Sequence, residues 1–338
     1  MTYKTIFSGH FEFGTERSYQ QMVDMFEHRS ENYYRNAILL NAEEVFDSES
    51  QAMHVPRLIA PAATSKEWNN TINILKFVAD YAIAGSFSAW MVEDGKVVKH
   101  HFIEPNSDKV AVQAFLKGRE LVQEEGREKE AMKALSRAIE KYERHAKAYE
   151  RRGFVNQQLR NYDDAIYDYS KSIDINPNAP EPYMGRALVH IVREDYAAAA
   201  ADLTHAIKGS IPLQPMFWQA RRIKGECHLK LGQWDKAEFE LKFVTKRYFS
   251  EEDPNFKWRK RAFRNYGVAL FEQKKFAEAL QAFDTALSIE TGLEVPQSEL
   301  LLYRGLSLKQ LGDSGFEQAW EEAANYGSKR AAELLQAG

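Results

Sequence analysis

Small and apolar residues recur along the last two thirds of the chain with a period of about 34 residues. In the stretch from Ala146 to Ala179, an aromatic residue (Tyr149) is fourth, a glycine (Gly153) is eighth and a proline (Pro177) is thirty-second. Small residues let two helices approach closely, and a proline cannot continue a helix. The pattern therefore predicts a helix–turn–helix unit.

This spacing resembles the tetratricopeptide repeat, a 34-residue helix–turn–helix unit. Five further segments share its register, although the first has one extra residue between its helices and the sixth has a shifted second helix. Their paired positions are Gly118 with Leu135, Ala187 with Leu203, Gly225 with Leu241, Gly267 with Phe283, and Gly305 with Trp320. One unit alone leaves an apolar face open, so the units must stack. The resemblance implies an all-α superhelix of about six repeats over 107–338, closed by a capping helix at AAELLQA.

Before residue 106 the apolar pattern is different, because strand-like alternation is interrupted by two helical stretches. Asp94-Gly95 between two apolar runs indicates a tight hairpin, and Pro56 would place its strand at an edge or a bulge. We expect strands over 3–13, 37–46, 52–60, 87–92 and 97–103, and helices over 18–34 and 65–85. The order βαββαββ begins like a ferredoxin-like split βαβ sandwich. The fold class is thus multidomain α+β, with a domain over 1–106 and a solenoid over 107–338.

Composition narrows the class of protein. The chain has 338 residues, is 44% hydrophobic and carries a net charge of −4, so a general affinity for nucleic acid is not expected. By count, 1–106 holds 9 Lys and Arg against 14 Asp and Glu. A single cysteine, Cys227, permits no internal disulfide. Without a signal-peptide pattern or an apolar run of about 18 residues, we expect a cytoplasmic protein with no membrane span.

In tetratricopeptide repeats the first helix of each pair lines a concave groove, which commonly holds a peptide or a partner's helix. The repeat register places on this face Arg119, Lys147, Arg151, Phe154, Met184, Leu188, Arg222, Glu226, Arg261, Arg264, Asn265 and Tyr303. Six basic residues against one acidic residue predict an acidic, partly apolar protein partner. The alternative is a solvated face whose arginines pair with neighbouring repeats.

Two narrower partner classes are disfavoured. The repeats of heat-shock co-chaperones clamp a C-terminal carboxylate with lysine, asparagine and arginine, and at the equivalent positions only Asn265 matches. An EEVD-type ligand is therefore not expected. The stretch Lys257–Arg264 is basic with interleaved aromatics, as in nucleic-acid-binding proteins, but its place at the start of a repeat helix favours a packed and solvated face.

No catalytic, cofactor or metal-binding motif is evident. His100 and His101 are adjacent on a strand and point to opposite faces, and no HExxH, CxxC, phosphate loop or GxSxG spacing occurs. We therefore expect a binding scaffold rather than an enzyme. Two alternatives stay open: a ligand-binding or enzymatic domain over 1–106 with the repeats as a targeting arm, and self-association through that domain or the repeat ends. The acidic first domain is also a candidate to dock on the basic groove.

Overall fold

A computed structural model describes residues 2–337, and it begins with a five-stranded antiparallel sheet. The strands are β1 (Thr2–Glu12), β2 (Phe46–Asp47), β3 (Ala52–Thr64), β4 (Ala84–Glu93) and β5 (Lys96–Ile103). They lie in the order β2-β3-β1-β4-β5. The helices of this region are α1 (Glu16–His28), α2 (Ala42–Val45) and α3 (Ser65–Tyr81), with a π-helical turn at Arg29–Tyr33 after α1. The first four strands have the predicted split βαβ arrangement, and β5 adds beside β4.

One core holds the sheet and its helices together. Alternate residues of the strands, such as Phe7, Met53 and Phe87, are buried against Phe26 of α1 and Trp68 of α3. Because strand side chains alternate between faces, β1 turns His10 and Glu12 to the opposite face. Both are nevertheless buried, so this second face is also covered.

The strand predicted over 37–46 is wrong. This segment passes through bends into α2, and only Phe46–Asp47 joins the sheet. Side chains of α3 take the hydrogen bonds that a strand would have made: Thr71 Oγ1 accepts from Leu39 N at 2.9 Å, and Asn70 Nδ2 donates to the oxygen of Ala37 at 2.9 Å. The apolar run is therefore a core-packed loop whose backbone is satisfied by a helix, which alternation alone does not reveal.

The predicted hairpin and the predicted irregularity at Pro56 are both confirmed. Asp94 and Gly95 have φ of 49° and 74° and join β4 to β5. The β1–β3 register shifts between Phe7 and Gly9, opposite Pro56. Ser8 Oγ donates to the Pro56 oxygen at 2.7 Å. The bulge accommodates a residue that has no N–H for the ladder.

From residue 110 the chain is helical. The helices are α4 (Val110–Leu121), α5 (Glu128–Lys141), α6 (Ala146–Gln158), α7 (Tyr162–Ile175), α8 (Pro180–Val192), α9 (Tyr196–Gly209), α10 (Pro215–Lys230), α11 (Trp234–Lys246), α12 (Arg259–Glu272), α13 (Phe276–Ser288), α14 (Gln297–Leu311), α15 (Phe316–Asn325) and α16 (Lys329–Ala337). A short 3₁₀ turn, Phe256–Trp258, precedes α12. The predicted six helix pairs and terminal helix are confirmed.

The glycine on the first helix of a pair explains the sequence repeat. At Gly267 an added Cβ would lie 2.7 Å from Phe283 of the second helix, and at Gly305 it would lie 2.4 Å from Trp320. Gly118 faces Leu135 and Gly225 faces Leu241 in the same way, each at 2.7 Å. A side chain at the glycine would push the helices apart, since packed interiors have no spare volume. The glycine-to-large-residue spacing is therefore a packing requirement.

The chain divides into two compact units, residues 2–189 and 190–337. The first unit contains the sheet together with the first two repeats and most of α8. The domain boundary predicted at 106/107 coincides with the end of the sheet and the start of the helices, and it stays a prediction, because the compact unit continues beyond it.

Candidate partner-binding surface

Some charged side chains of the repeats form ion pairs between helices, and these are not available to bind a partner. Arg152 lies just before Gly153 and reaches Asp168 of the second helix, with Nη2 2.7 Å from Oδ1 and Nε 3.0 Å from Oδ2. Arg152 also donates to Ser136 of the preceding repeat at 3.0 Å. Arg221 pairs with Glu240 at 2.6 Å in the second unit. These charges link helices and are not free for a partner.

In the first unit the second face of the sheet lies on the loops between repeats. Glu12 accepts a hydrogen bond from the Tyr142 hydroxyl at 2.7 Å and pairs with Arg144 at 3.3 Å. Its carboxylate is almost fully buried. Burial raises the pKa of Tyr142, and the negative charge of Glu12 raises it further, so the hydroxyl stays protonated and donates its hydrogen bond. The N-terminal sheet thus contacts the first two repeats through inter-repeat loops.

Histidines make up much of the same contact. His10 Nδ1 and Asn176 Nδ2 are 2.9 Å apart, as are His54 Nε2 and Asn178 Nδ2. His145 caps α6 by accepting from the backbone N–H of Ala148. Burial lowers the pKa of His10 to about 3, helped by His54, Lys147, His145 and Arg144, and burial lowers the pKa of His145 to about 4. Both rings are therefore neutral in the folded protein at physiological pH.

These two histidines predict acid destabilisation of the first unit. In the unfolded chain they take up protons below about pH 6.5, while in the folded protein they stay neutral down to about pH 4 and 3. Their contribution is complete above pH 6.5 and is lost as the pH falls. We expect the free energy of unfolding to fall by about 2 to 4 kcal/mol between pH 7 and pH 5.

Urea titrations at each pH, followed by hydrogen exchange over residues 2–189, measure this loss. His10→Gln should reduce the pH slope, whereas His28→Gln, on the exposed side of α1, should leave it as it is. An equal slope in the wild type and His10→Gln would contradict the assignment.

The predicted groove residues of the first unit have acidic partners. Arg119 forms a short ion pair with Glu104, which lies just after β5. Lys147 Nζ is 3.4 Å from Glu181 and 3.9 Å from Glu150. Burial lowers the pKa of Lys147, but Glu181 and Glu150 outweigh it and raise the net value. These charges are therefore largely neutralised within the unit.

The remaining predicted residues of this unit are one charged and three apolar side chains that differ in exposure. Arg151 Nε is 3.5 Å from Glu150 Oε2. Phe154 is exposed, Leu188 is half-buried and Met184 is buried. An aromatic ring is therefore available on this face, while the methionine serves as packing.

In the second unit, α10 and α12 bring most of the other predicted residues together. Glu226 Oε1 accepts from Arg222 Nη1 at 2.9 Å and from Asn265 Nδ2 at 3.2 Å, and it lies 3.4 Å from Arg261 Nε. Trp258, in the insertion before α12, stacks on the Arg222 guanidinium at 3.7 Å. Arg222 is consequently only 3% exposed, and its burial lowers its pKa. This buried arginine holds Glu226 in place and is not itself exposed to a partner.

Two arginines of α12 stay accessible. Arg261 is 48% exposed and Arg264 is 30% exposed. Arg264 donates to Asn265 Oδ1 at 2.6 Å and forms a short ion pair with Glu299. The Nε atoms of Arg222 and Arg264 are buried without a hydrogen-bond partner. We call Arg222, Glu226, Trp258, Arg261, Arg264, Asn265 and Glu299 the arginine cluster. It holds three guanidinium groups and two carboxylates.

The repeat register predicts one acidic residue, Glu226, among the basic residues of the groove. The structure places four further carboxylates beside those basic residues: Glu104, Glu150, Glu181 and Glu299. Two of them follow their cation by about one repeat, as Glu181 follows Lys147 and Glu299 follows Arg264. That spacing is a signal the sequence contains, because equivalent positions of consecutive repeats are neighbours. The alternative in which basic residues pair with neighbouring repeats therefore holds for Lys147 and Arg264.

The described residues, 2–337, contain neither a candidate metal cluster nor a candidate membrane span. No group of three His, Cys, Asp or Glu side chains among them is arranged to hold a metal ion. No helix among them has the length and apolar character needed to cross a bilayer. Cys227 is buried, and burial raises its pKa to about 12, so its thiol is not poised as a nucleophile.

Comparison with known families now identifies the helical part. A tetratricopeptide-repeat model matches residues 146–179, and a second model of that repeat matches 184–242 and 258–292. Residues 146–292 are therefore tetratricopeptide repeats. The region before them matches neither model, so its sheet is described by its own geometry.

Similar proteins share parts of the array. The crystal structure of YrrB, described as a tetratricopeptide-repeat protein with an unusual peptide-binding site, aligns with a TM-score of 0.52 at 18% identity. The alignment covers 61% of this chain and 100% of YrrB. PilF of Pseudomonas aeruginosa aligns with a TM-score of 0.49 at 16% identity, covering 68% of this chain and 98% of PilF.

A curated relative also matches. The SGT1 homolog of Bos taurus is 31% identical over 78 residues, which is 23% of each protein. The chain thus spans about a quarter of that relative. The repeats indicate a protein–protein interaction scaffold, and the character of the partner is a separate question.

Proposed function

We propose that this protein is a scaffold that binds an acidic, partly apolar segment of a partner protein at the arginine cluster. The proposal concerns recognition without catalysis, in the cytoplasm. YrrB, which shares the fold, is described as having a peptide-binding site, and the present repeats would serve the same general purpose.

The observation that carries the proposal is the excess of guanidinium groups over carboxylates. Three arginines share Glu226 and Glu299, and two of their Nε atoms are buried without an acceptor. An incoming carboxylate would balance this excess of positive charge at the solvent-exposed parts of Arg261 and Arg264. Arginine forks also bind carboxylates in a bidentate way.

The arginines of the cluster differ in solvent exposure, and we assign them different roles in binding on that basis. Arg261 and Arg264 would contact the partner's carboxylate directly, because their side chains reach solvent. Arg222, covered by Trp258, would add positive potential and hold Glu226 in place. Lys257 and Lys260 lie in the same basic stretch and would favour an acidic partner during encounter.

The predicted residues of the first unit would have a smaller role. Arg119 and Lys147 are paired with acids, and Arg151 shares Glu150. Phe154 is an exposed apolar residue of the first unit. The second unit therefore supplies the charge selectivity in this proposal.

A random peptide library, twelve residues long and displayed on phage, tests the proposal with the full-length protein as bait. Selected peptides should be enriched in Asp and Glu together with Leu or Phe. The affinity of one synthesised winner should fall at least 100-fold in Arg261→Glu/Arg264→Glu, since two charge-assisted contacts become repulsive.

The matched control is Lys242→Glu/Lys246→Glu, which makes the same charge change on exposed positions of α11. It should bind the peptide within about threefold of wild type, as expected for a general charge effect at a distance. Selection of peptides without acidic residues, or equal losses in the two double variants, would contradict the proposal.

A further inference from the structure

The N-terminal sheet has one long unpaired edge. β5 pairs with β4 on one side only, and the opposite edge of the sheet is the two-residue strand β2. No strand within residues 2–337 pairs with the outer side of β5. An eight-residue edge presents a row of free backbone N–H and C=O groups. Such an edge is a template for another extended chain.

The side chains along this edge are open to solvent. Val98 is 46% exposed and Phe102 is 54% exposed. Phe102 also lines a cavity of about 640 Å³ between the end of β5 and α4, together with Leu116 of α4. Apolar contacts for a bound segment are therefore available beside the free backbone groups.

Charge at the edge selects the occupant. Lys96 and Lys99 lie on β5 and are exposed, and Lys76 and Lys117 line the cavity. None of the four forms an ion pair within 4.0 Å among the described residues, while the nearby acid Glu104 is already paired with Arg119. A second acid, Glu120, also lines the cavity. The balance along the edge is positive.

We propose that β5 accepts an extended acidic segment of a partner protein as a sixth strand of the sheet. Main-chain hydrogen bonds hold the segment, its alternate apolar residues contact Val98 and Phe102, and its carboxylates face Lys96 and Lys99. This surface belongs to the first unit and shares no residue with the arginine cluster, so the two proposals stand or fall separately.

A second copy of this chain is a poorer occupant. Pairing β5 with another β5 would bring the lysines of the two strands together, and like charges on neighbouring strands are destabilising. The register shift between Met91 and Val92, opposite Val98, also makes this edge irregular, which is a common protection against self-pairing. An acidic segment replaces this repulsion with attraction between opposite charges.

The probe for this proposal is a blocked octapeptide that alternates Asp and Val, tested on the full-length protein. Hydrogen exchange read by mass spectrometry should show at least tenfold slower exchange over residues 96–103. Two control peptides should give no protection: one alternates Lys and Val, and the other is the acidic peptide with every second backbone amide N-methylated, which removes donors needed for strand pairing.

Variants locate the site. Lys96→Glu/Lys99→Glu should weaken the acidic peptide at least tenfold, while Lys66→Glu at the exposed start of α3 should not. Arg261→Glu/Arg264→Glu should retain binding. Equal binding of the N-methylated peptide, loss of binding in the arginine variant, or protection of β5 by dimerisation without peptide would each overturn the proposal.

Discussion

Replacing Gly85 with alanine should destabilise the N-terminal sheet by about 3 kcal/mol or more. Gly85 lies near the start of β4 and pairs with Phe11 of β1, and its φ is +107°. A Cβ at this position would lie 2.2 Å from the backbone oxygen of His10. Because the obstacle is backbone inside the central ladder, relief requires β1 and β4 to separate.

Hydrogen exchange over 2–103 and urea unfolding measure the effect. Gly95→Ala is the matched control, since Gly95 also has positive φ, at +74°, but has no atom within 4 Å of its added Cβ. Its cost should be limited to backbone strain of about 1 kcal/mol. Similar costs for the two variants would show that the close approach of the strands is not the cause.

Replacing Arg152 with methionine should destabilise the repeats of the first unit by about 3 to 5 kcal/mol. Asp168 is almost fully buried, and without Arg152 its carboxylate keeps only the hydrogen bond from Asn156 at 3.0 Å. Burial raises the pKa of Asp168 against the opposing effect of Arg152. Removing the arginine therefore leaves a buried charge with too little compensation.

Two further variants separate this cause from loss of packing. Arg127→Met breaks exposed ion pairs with Glu130 and Glu124 and should leave the free energy of unfolding close to that of the wild type. Arg152→Met/Asp168→Leu removes both charges and should recover most of the stability, because an apolar pair of similar volume replaces a buried ion pair well. If the double variant stays as unstable as Arg152→Met, the lost stability comes from the packing of the Arg152 side chain and not from the unpaired charge of Asp168.

Particular residues show why some features were predictable. Gly267 with Phe283 and Gly225 with Leu241 are local pairs, sixteen residues apart, whose volumes must match. Asp94-Gly95 sets its own backbone angles. The segment 37–46 departs from the predicted strand because its hydrogen-bond partners, Asn70 and Thr71, lie more than thirty residues away in the sequence. Local pattern cannot indicate which distant side chain will satisfy a backbone group.

The charges of the predicted groove show the same limit. Arg261, Arg264 and Asn265 are close together because they lie within about one turn of α12, but the exposure of Arg222 depends on Trp258 in an insertion outside the register. Likewise, Glu12 of β1 meets Tyr142 and Arg144 across about 130 residues of chain. No periodicity relates those positions.

The sequence by itself determined the helical repeats and, apart from the segment 37–46, the order of strands and helices before them. These follow from local spacing, where helix and strand geometry dictate which residues are neighbours. Tertiary structure alone decided which charges are neutralised, which arginines reach solvent, how the N-terminal sheet meets the first repeats, and that β5 keeps a free edge. Those outcomes depend on side chains brought together from distant segments, where burial and charge pairing act over a few ångströms of space rather than along the chain.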